Sequence, residues 1–175
     1  MGQLDGQVAL ITGAAGGIGA AVAFDGHRAD LTSAAEAEAA VAAAVDRHGR
    51  LDVAVTSAGI SGRRYGDGPT HTCTAEAWDR VLEGNLKSVF LTCKYAIPHL
   101  VEAGGGSIVN ISSVVGIVGS VGDPKIHARL HDLQPLTGEP GLREDVTAAV
   151  LYLAGPGSRF VTGAILPVDG RWTAR

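Results

Sequence analysis

A chain of 175 residues that is 46% hydrophobic and 18% charged can bury one core, so we expect a single domain over residues 1–175. Its net charge of −4 and the lack of a basic run argue against a nucleic-acid partner. The sequence has no apolar stretch long enough to cross a bilayer, no signal peptide and no close cysteine pair, so we expect a cytoplasmic protein with reduced thiols and no membrane partner.

Strand-like apolar runs alternate with helical patterns along the chain. Ser33 and Thr74 are predicted to cap the helices that follow them, and Pro98 is expected to kink or terminate its helix. The alternation predicts an α/β fold, with a parallel sheet covered by helices on both faces. In chain order the predicted elements are a strand at 8–11, a helix starting at 17–24, a helix at 34–45, a strand at 51–55, a helix at 74–100, a strand at 107–111, a helix at 143–153 and a strand at 165–168.

Glycines are concentrated where the first predicted strand meets the first predicted helix, at Gly13, Gly16, Gly17 and Gly19. Residues without a Cβ allow a sharp turn and bring backbone N–H groups close to a ligand. The N-terminal end of a helix carries partial positive charge, which suits a pyrophosphate. An ordinary strand-to-helix turn is the alternative, but the strand–loop–helix context favours dinucleotide binding.

The spacing Thr12-Gly13-x-x-x-Gly17-Ile18-Gly19 resembles the short-chain dehydrogenase/reductase family, and further segments match that family in order. Asn85 matches the catalytic asparagine of the family, and the strand that leads to Ser113 matches the strand that delivers its catalytic serine. The other matching segments are Asp30-Leu31-Thr32, Thr56-Ser57-Ala58-Gly59, Phe160-Val161-Thr162-Gly163 and Val168-Asp169-Gly170.

The resemblance implies a Rossmann-like doubly wound parallel sheet and hydride transfer between NAD or NADP and a small-molecule alcohol or ketone. In the family the serine binds the substrate oxygen, a tyrosine transfers the hydroxyl proton, a lysine lowers the tyrosine pKa and the asparagine orders a water. Ser113 and Asn85 therefore take catalytic roles by resemblance. The helix that contains Asn85 packs against a partner subunit in the family, which makes it the candidate homo-oligomer interface. The cofactor positions implied are Gly13, Ala15, Gly17, Ile18, Gly19, Asp30, Leu31, Ala58 and Gly59.

Two segments of the family pattern are missing. Counting forward from Ser113 by the family interval reaches Ile126 and Leu130, where the Tyr-x-x-x-Lys pair belongs. Upstream, Asp30 follows Gly19 by only eleven residues, too few for a helix, a second strand and another helix. In the family's sheet order 3-2-1-4-5-6-7 the missing second and sixth strands are interior, so we expect a reduced fold. Either the chain omits parts of a longer enzyme, or an internally deleted protein re-pairs its strands.

The missing pair leaves two classes of function open. The first is an NAD(P)-dependent oxidoreductase acting on a secondary alcohol or carbonyl compound. The second is a catalytically silent nucleotide-binding or interaction protein derived from the same family. For the chain as written we expect turnover near background, because no residue replaces the Tyr-Lys proton relay.

Uncharged residues in the glycine loop favour NAD over NADP. Relatives that prefer NADP often carry Arg or Lys at the position of Gly16, and Ala14 and Ala15 are also uncharged, so a 2′-phosphate would find no local cation. We expect no metal site, since His127 and His131 have ligand spacing but lack the glutamate of a zincin, and a solvated segment is favoured there.

Overall fold

The computed structural model describes residues 2–21, 26–114 and 130–174. Within these ranges no helix is both long and apolar enough to cross a membrane. The elements are β1 Ala9–Ile11, α1 Gly17–Ala20, α2 Ala34–His48, β2 Val53–Thr56, α3 Ala75–Leu82, α4 Ser88–Glu102, β3 Ser107–Asn110, α5 Leu130–Leu133 and α6 Arg143–Ala154, with a π-helical turn at Glu83–Lys87 and 3-10 turns at Gly62–Tyr65 and Pro156–Ser158.

The three strands form one parallel sheet in the order β1-β2-β3, with Ala9 opposite Val53 and Val53 opposite Ser107. This confirms the parallel α/β prediction. By their place in the sequence, these strands correspond to the first, fourth and fifth strands of the family order, which are neighbours there as well. Within the described ranges, the retained strands therefore keep the family's pairing and do not re-pair.

Alternate residues of β2 supply a core on each face of the sheet. Ala54 packs with residues of α2 and α4, whereas Val53 and Val55 pack with β3 and α6. All four residues of β2 are buried, as expected for a strand with neighbours on both sides and helices on both faces. The first cluster comprises Val41, Leu51, Ala54, Ala96 and Leu100, and the second comprises Val53, Val55, Val109, Val150 and Ala154.

Both predicted helix caps are present. The Ser33 hydroxyl accepts a hydrogen bond from the backbone N–H of Glu36, and the Thr74 hydroxyl accepts one from Ala77. Of the two outcomes expected at Pro98, a kink or the end of the helix, the second is wrong, because α4 continues to Glu102. Buried Ala96 and Leu100 flank the proline and anchor this part of α4 in the core, which compensates for the backbone hydrogen bond that proline cannot make.

The predicted strand at 165–168 does not form. Residues 162–168 lie outside every helix and strand, and the Ile165 side chain is 80% exposed. The segment before Asp30, which would correspond to the family's third strand, is likewise irregular over 26–30. Both segments would pair with one of the missing strands, and a strand without a neighbour has nothing to satisfy its backbone groups.

Candidate functional site

The loop between β1 and α1 requires glycine at specific positions. Gly13 has φ +71°, and a Cβ there would lie 2.7 Å from the carbonyl oxygen of Ser57. Gly17 has φ +53°, and a Cβ on Gly19 would overlap the carbonyl of Gly13. The loop is therefore folded tightly against itself and against the end of β2. No acceptor among the described residues is bonded to the backbone N–H of Gly17 or Ile18.

Thr12 connects this loop to the segment after β2. Its hydroxyl oxygen accepts hydrogen bonds from the backbone N–H of Ser57 at 3.0 Å and of Ala58 at 3.1 Å. Its own N–H donates to the carbonyl of Val55 at 2.9 Å, and the residue is only 7% exposed. One buried side chain thus fixes the spacing of the two loops at the carboxyl ends of β1 and β2. The motif spacing includes Thr12 but does not predict this role.

Asn85 holds the next part of the same segment. Its Oδ1 accepts a hydrogen bond from the Ile60 N–H at 2.7 Å, and its Nδ2 donates to the Ile60 carbonyl at 3.0 Å. A Cβ on Gly59 would lie 2.8 Å from the same Oδ1, so a side chain there would displace the Asn85 amide. Asn85 lies within the π-helical turn Glu83–Lys87, a break that the predicted continuous helix over 74–100 did not include. Such turns occur frequently at functional sites.

A polar contact joins the carboxyl ends of β2 and β3. The hydroxyl of buried Thr56 donates to Asn110 Oδ1 at 2.8 Å, and Cys93 Sγ lies 3.9 Å from the same oxygen. Burial raises the pKa of the Cys93 thiol, so it stays protonated. Cys93 and Cys73 are both free thiols. Ser113 follows Asn110 by three residues and is exposed.

Asp30 is held in a local turn before α2. Its Oδ1 accepts hydrogen bonds from the Thr32 N–H at 2.9 Å and from the Thr32 hydroxyl at 2.8 Å. These hydrogen bonds lower the pKa of Asp30, so its carboxylate is charged and oriented. Within the described ranges no hydrogen bond links Asp30 or Leu31 to the glycine loop.

The structure brings together one group of the predicted residues. Gly13 and Gly19 contact each other, Gly13 contacts the Ser57–Ala58 backbone, and Gly59 contacts Asn85. Ala15 belongs to the loop between β1 and α1, and Gly17 and Ile18 begin α1 directly after it. Asp30 and Leu31 form a separate turn. Of the positions expected for the Tyr-x-x-x-Lys pair, Ile126 lies outside the described residues, as does His127, and Leu130 begins α5.

Comparison with known proteins identifies the family. The family profile described as short chain dehydrogenase matches residues 23–125. The chain belongs to the short-chain dehydrogenase/reductase family. It is 31% identical to the cis-4-hydroxycyclohexanecarboxylate dehydrogenase of Sinomonas cyclohexanicum, with 96% of this chain and 97% of the relative covered. It is 27% identical to the D-threitol dehydrogenase of Mycolicibacterium smegmatis, with 99% and 95% covered.

A solved member of the family has the same fold. A short-chain dehydrogenase/reductase from Burkholderia xenovorans superposes with a TM-score of 0.86 at 27% identity, covering 100% of this chain and 99% of the other. The alignment with the Sinomonas dehydrogenase runs over 248 residues, although this chain has 175. Internal segments of the relative therefore have no counterpart here, which confirms the reduced family fold.

Proposed function

We propose that this chain binds a nicotinamide dinucleotide in the loop between β1 and α1. The observation that carries the proposal is the glycine cradle: Gly13 and Gly17 have left-handed backbones, and Gly13 and Gly19 leave no room for a Cβ. Glycine alone adopts a left-handed backbone without strain and fits where a Cβ would collide. The backbone N–H groups of Gly17 and Ile18 have no acceptor among the described residues. Ala15 and the Ala58–Gly59 backbone complete the proposed cofactor contacts, and Asp30 and Leu31 would hold the adenine.

The family's chemistry supplies the reaction class. A bound nicotinamide would accept or donate a hydride, with a secondary alcohol or a carbonyl compound as the substrate. Ser113 would bind the substrate oxygen. The double hydrogen bond of Asn85 to Ile60 leaves one amide hydrogen for a water, which is the role that we assign to it.

The chain as printed lacks a Tyr-x-x-x-Lys pair. General acid–base catalysis contributes about 10²–10⁴-fold to rate, so we expect turnover near background. This absence favours the second candidate function, a nucleotide-binding protein without catalysis. The two candidates share the cofactor site and differ only in turnover.

We also propose that NAD is preferred over NADP. Gly16 has φ −161°, and no heavy atom lies within 4 Å of the position that its Cβ would occupy. The fold therefore has room for a cation at this position, but the sequence supplies none. The 2′-phosphate of NADP would then gain no local ion pair.

An exposed apolar stripe along α3 and α4 supports the proposed homo-oligomer. Its side chains are the exposed apolar residues of both helices and of the π-helical turn between them, and an apolar surface of this kind marks an interaction site. A second copy of the chain is the partner proposed. The stripe consists of Trp78, Leu82, Leu86, Phe90, Ile97 and Val101.

A charge-only comparison at Gly16 tests nucleotide binding. We expect calorimetry to detect NAD⁺ binding to the wild type and to the Gly16→Gln variant, and a weakening of about tenfold or more in Gly16→Glu, whose carboxylate would repel the pyrophosphate. Gly13→Val is a poorer test because φ +71° and the Ser57 contact make it destabilising in itself. Equal affinity in all three proteins, or no binding in any, would contradict the proposed site.

The same protein separates the two candidate functions. A coupled absorbance assay with secondary alcohols should remain near background for a chain whose intact mass is verified at 17.8 kDa. Robust turnover would reject the silent protein and show that another group supplies the proton relay.

A further inference from the structure

Among the described residues, no strand pairs with the outer edge of β3. The N–H groups of Ser107 and Ile111 point toward β2 and donate to the carbonyls of Asp52, just before β2, at 3.0 Å and of Thr56 at 2.9 Å. Because strand residues alternate, the backbone groups of Ile108 and Asn110 point away from β2. Both residues are exposed, and no described residue bonds to their backbone.

An apolar segment of the same chain has no backbone partner among the described residues. Residues 164–168 read Ala-Ile-Leu-Pro-Val, and no backbone hydrogen bond within the described ranges involves them. Ile165 is 80% exposed, Leu166 48% and Val168 41%. The described part of the chain thus has both a strand edge and an apolar segment without a backbone partner, and each of them favours association.

We propose that residues 164–168 of a second copy add to the outer edge of β3 as a parallel strand, with each copy donating its segment to the other. Pro167 sets the register, because a residue without an N–H is tolerated only where that position faces away from the neighbouring strand. Leu166 then lies opposite Val109. Its N–H donates to the Ile108 carbonyl, and its own carbonyl accepts from the Asn110 N–H.

The second copy is favoured over other occupants for two reasons. A reciprocal exchange satisfies both unpaired features at once and closes with two-fold symmetry. In addition, Pro167 would face the new outer edge and block a further strand, so strand addition at this edge stops at two chains. This surface is distinct from the α3–α4 stripe, and the inference does not depend on the proposed nucleotide site.

Hydrogen exchange with matched proline variants tests the inference. In the wild type the Ile108 and Asn110 amides should exchange roughly tenfold more slowly once the protein concentration exceeds the dissociation constant about tenfold. Leu166→Pro removes an N–H that faces β3 and should abolish this concentration dependence. Ile165→Pro removes an N–H that faces outward and should retain it. Circular dichroism verifies that both variants keep the wild-type helix content.

Three results would overturn the inference. Fast exchange at all concentrations would mean that nothing adds to β3. Protection that is independent of concentration would mean that the edge is covered within one chain. Equal effects of Leu166→Pro and Ile165→Pro would mean that the register set by Pro167 is wrong.

Discussion

Thr12 allows the strongest test of how the candidate site is held together. Thr12→Val keeps the shape of the side chain but removes the oxygen that accepts from Ser57 and Ala58. Each buried donor left without an acceptor costs about 1–3 kcal/mol, so the two partly buried N–H groups together should lower the free energy of unfolding by about 2–4 kcal/mol. The glycine loop would also lose its fixed distance from β2, so nucleotide affinity should fall as well.

Urea unfolding followed by circular dichroism measures the cost. Thr12→Ser is the control, since it retains the acceptor and loses one methyl group, worth at most about 0.8 kcal/mol. We expect the order of stability wild type, Thr12→Ser, Thr12→Val, with the larger step at the second change. A valine variant within about 0.5 kcal/mol of the serine variant would refute the reasoning, because a difference that small is typical of surface changes.

Further predictions concern the cofactor, pH and association. Gly16→Arg should tighten NADP⁺ binding relative to NAD⁺ by about tenfold in calorimetry, and an unchanged ratio would place the 2′-phosphate elsewhere. Burial opposes ionisation of Asp52, but the Arg50 guanidinium and the Val8 N–H outweigh it and lower its pKa. The stabilisation from Asp52 should therefore be complete above the ordinary aspartate pKa and be lost as the pH falls through the lowered pKa of the folded protein. Asp52→Asn should reduce this loss of stability at acid pH, measured by urea unfolding. Phe90→Glu should abolish association through the α3–α4 stripe, so the molecular mass measured by sedimentation should fall while the β3 amide protection stays unchanged. An unaltered mass would exclude the stripe as an interface.

The sequence predicted the centre of the fold better than its edges. Periodicity and caps such as Ser33 and Thr74 place most helices correctly, because these signals are local. The prediction of a strand at 165–168 is wrong because a strand needs a neighbouring strand to pair with, and apolar character alone does not supply one. The same holds for Pro98, where core packing of the flanking residues outweighs a local helix-breaking signal.

The candidate site shows the same division. The spacing of the glycines and the position of Asn85 could be read from the motif. Thr12 accepts hydrogen bonds from residues 45 and 46 positions away, and Asn85 bonds to Ile60, 25 positions away. No local sequence pattern contains contacts over such separations. The π-helical turn could not be predicted either, because the residues around Asn85 have ordinary helical spacing.

The sheet order β1-β2-β3 has a consequence for how this chain folds. Each strand pairs with the next strand along the sequence, whereas the family order requires the chain to reverse direction across the sheet after its third strand. The described strands can therefore be added one after another, first β2 to β1 and then β3 to β2, without waiting for a distant segment. The central strand, whose four residues are all buried, becomes the template for both additions. Within the described ranges, the sheet has no flanking strands, and its assembly follows the direction of the polypeptide.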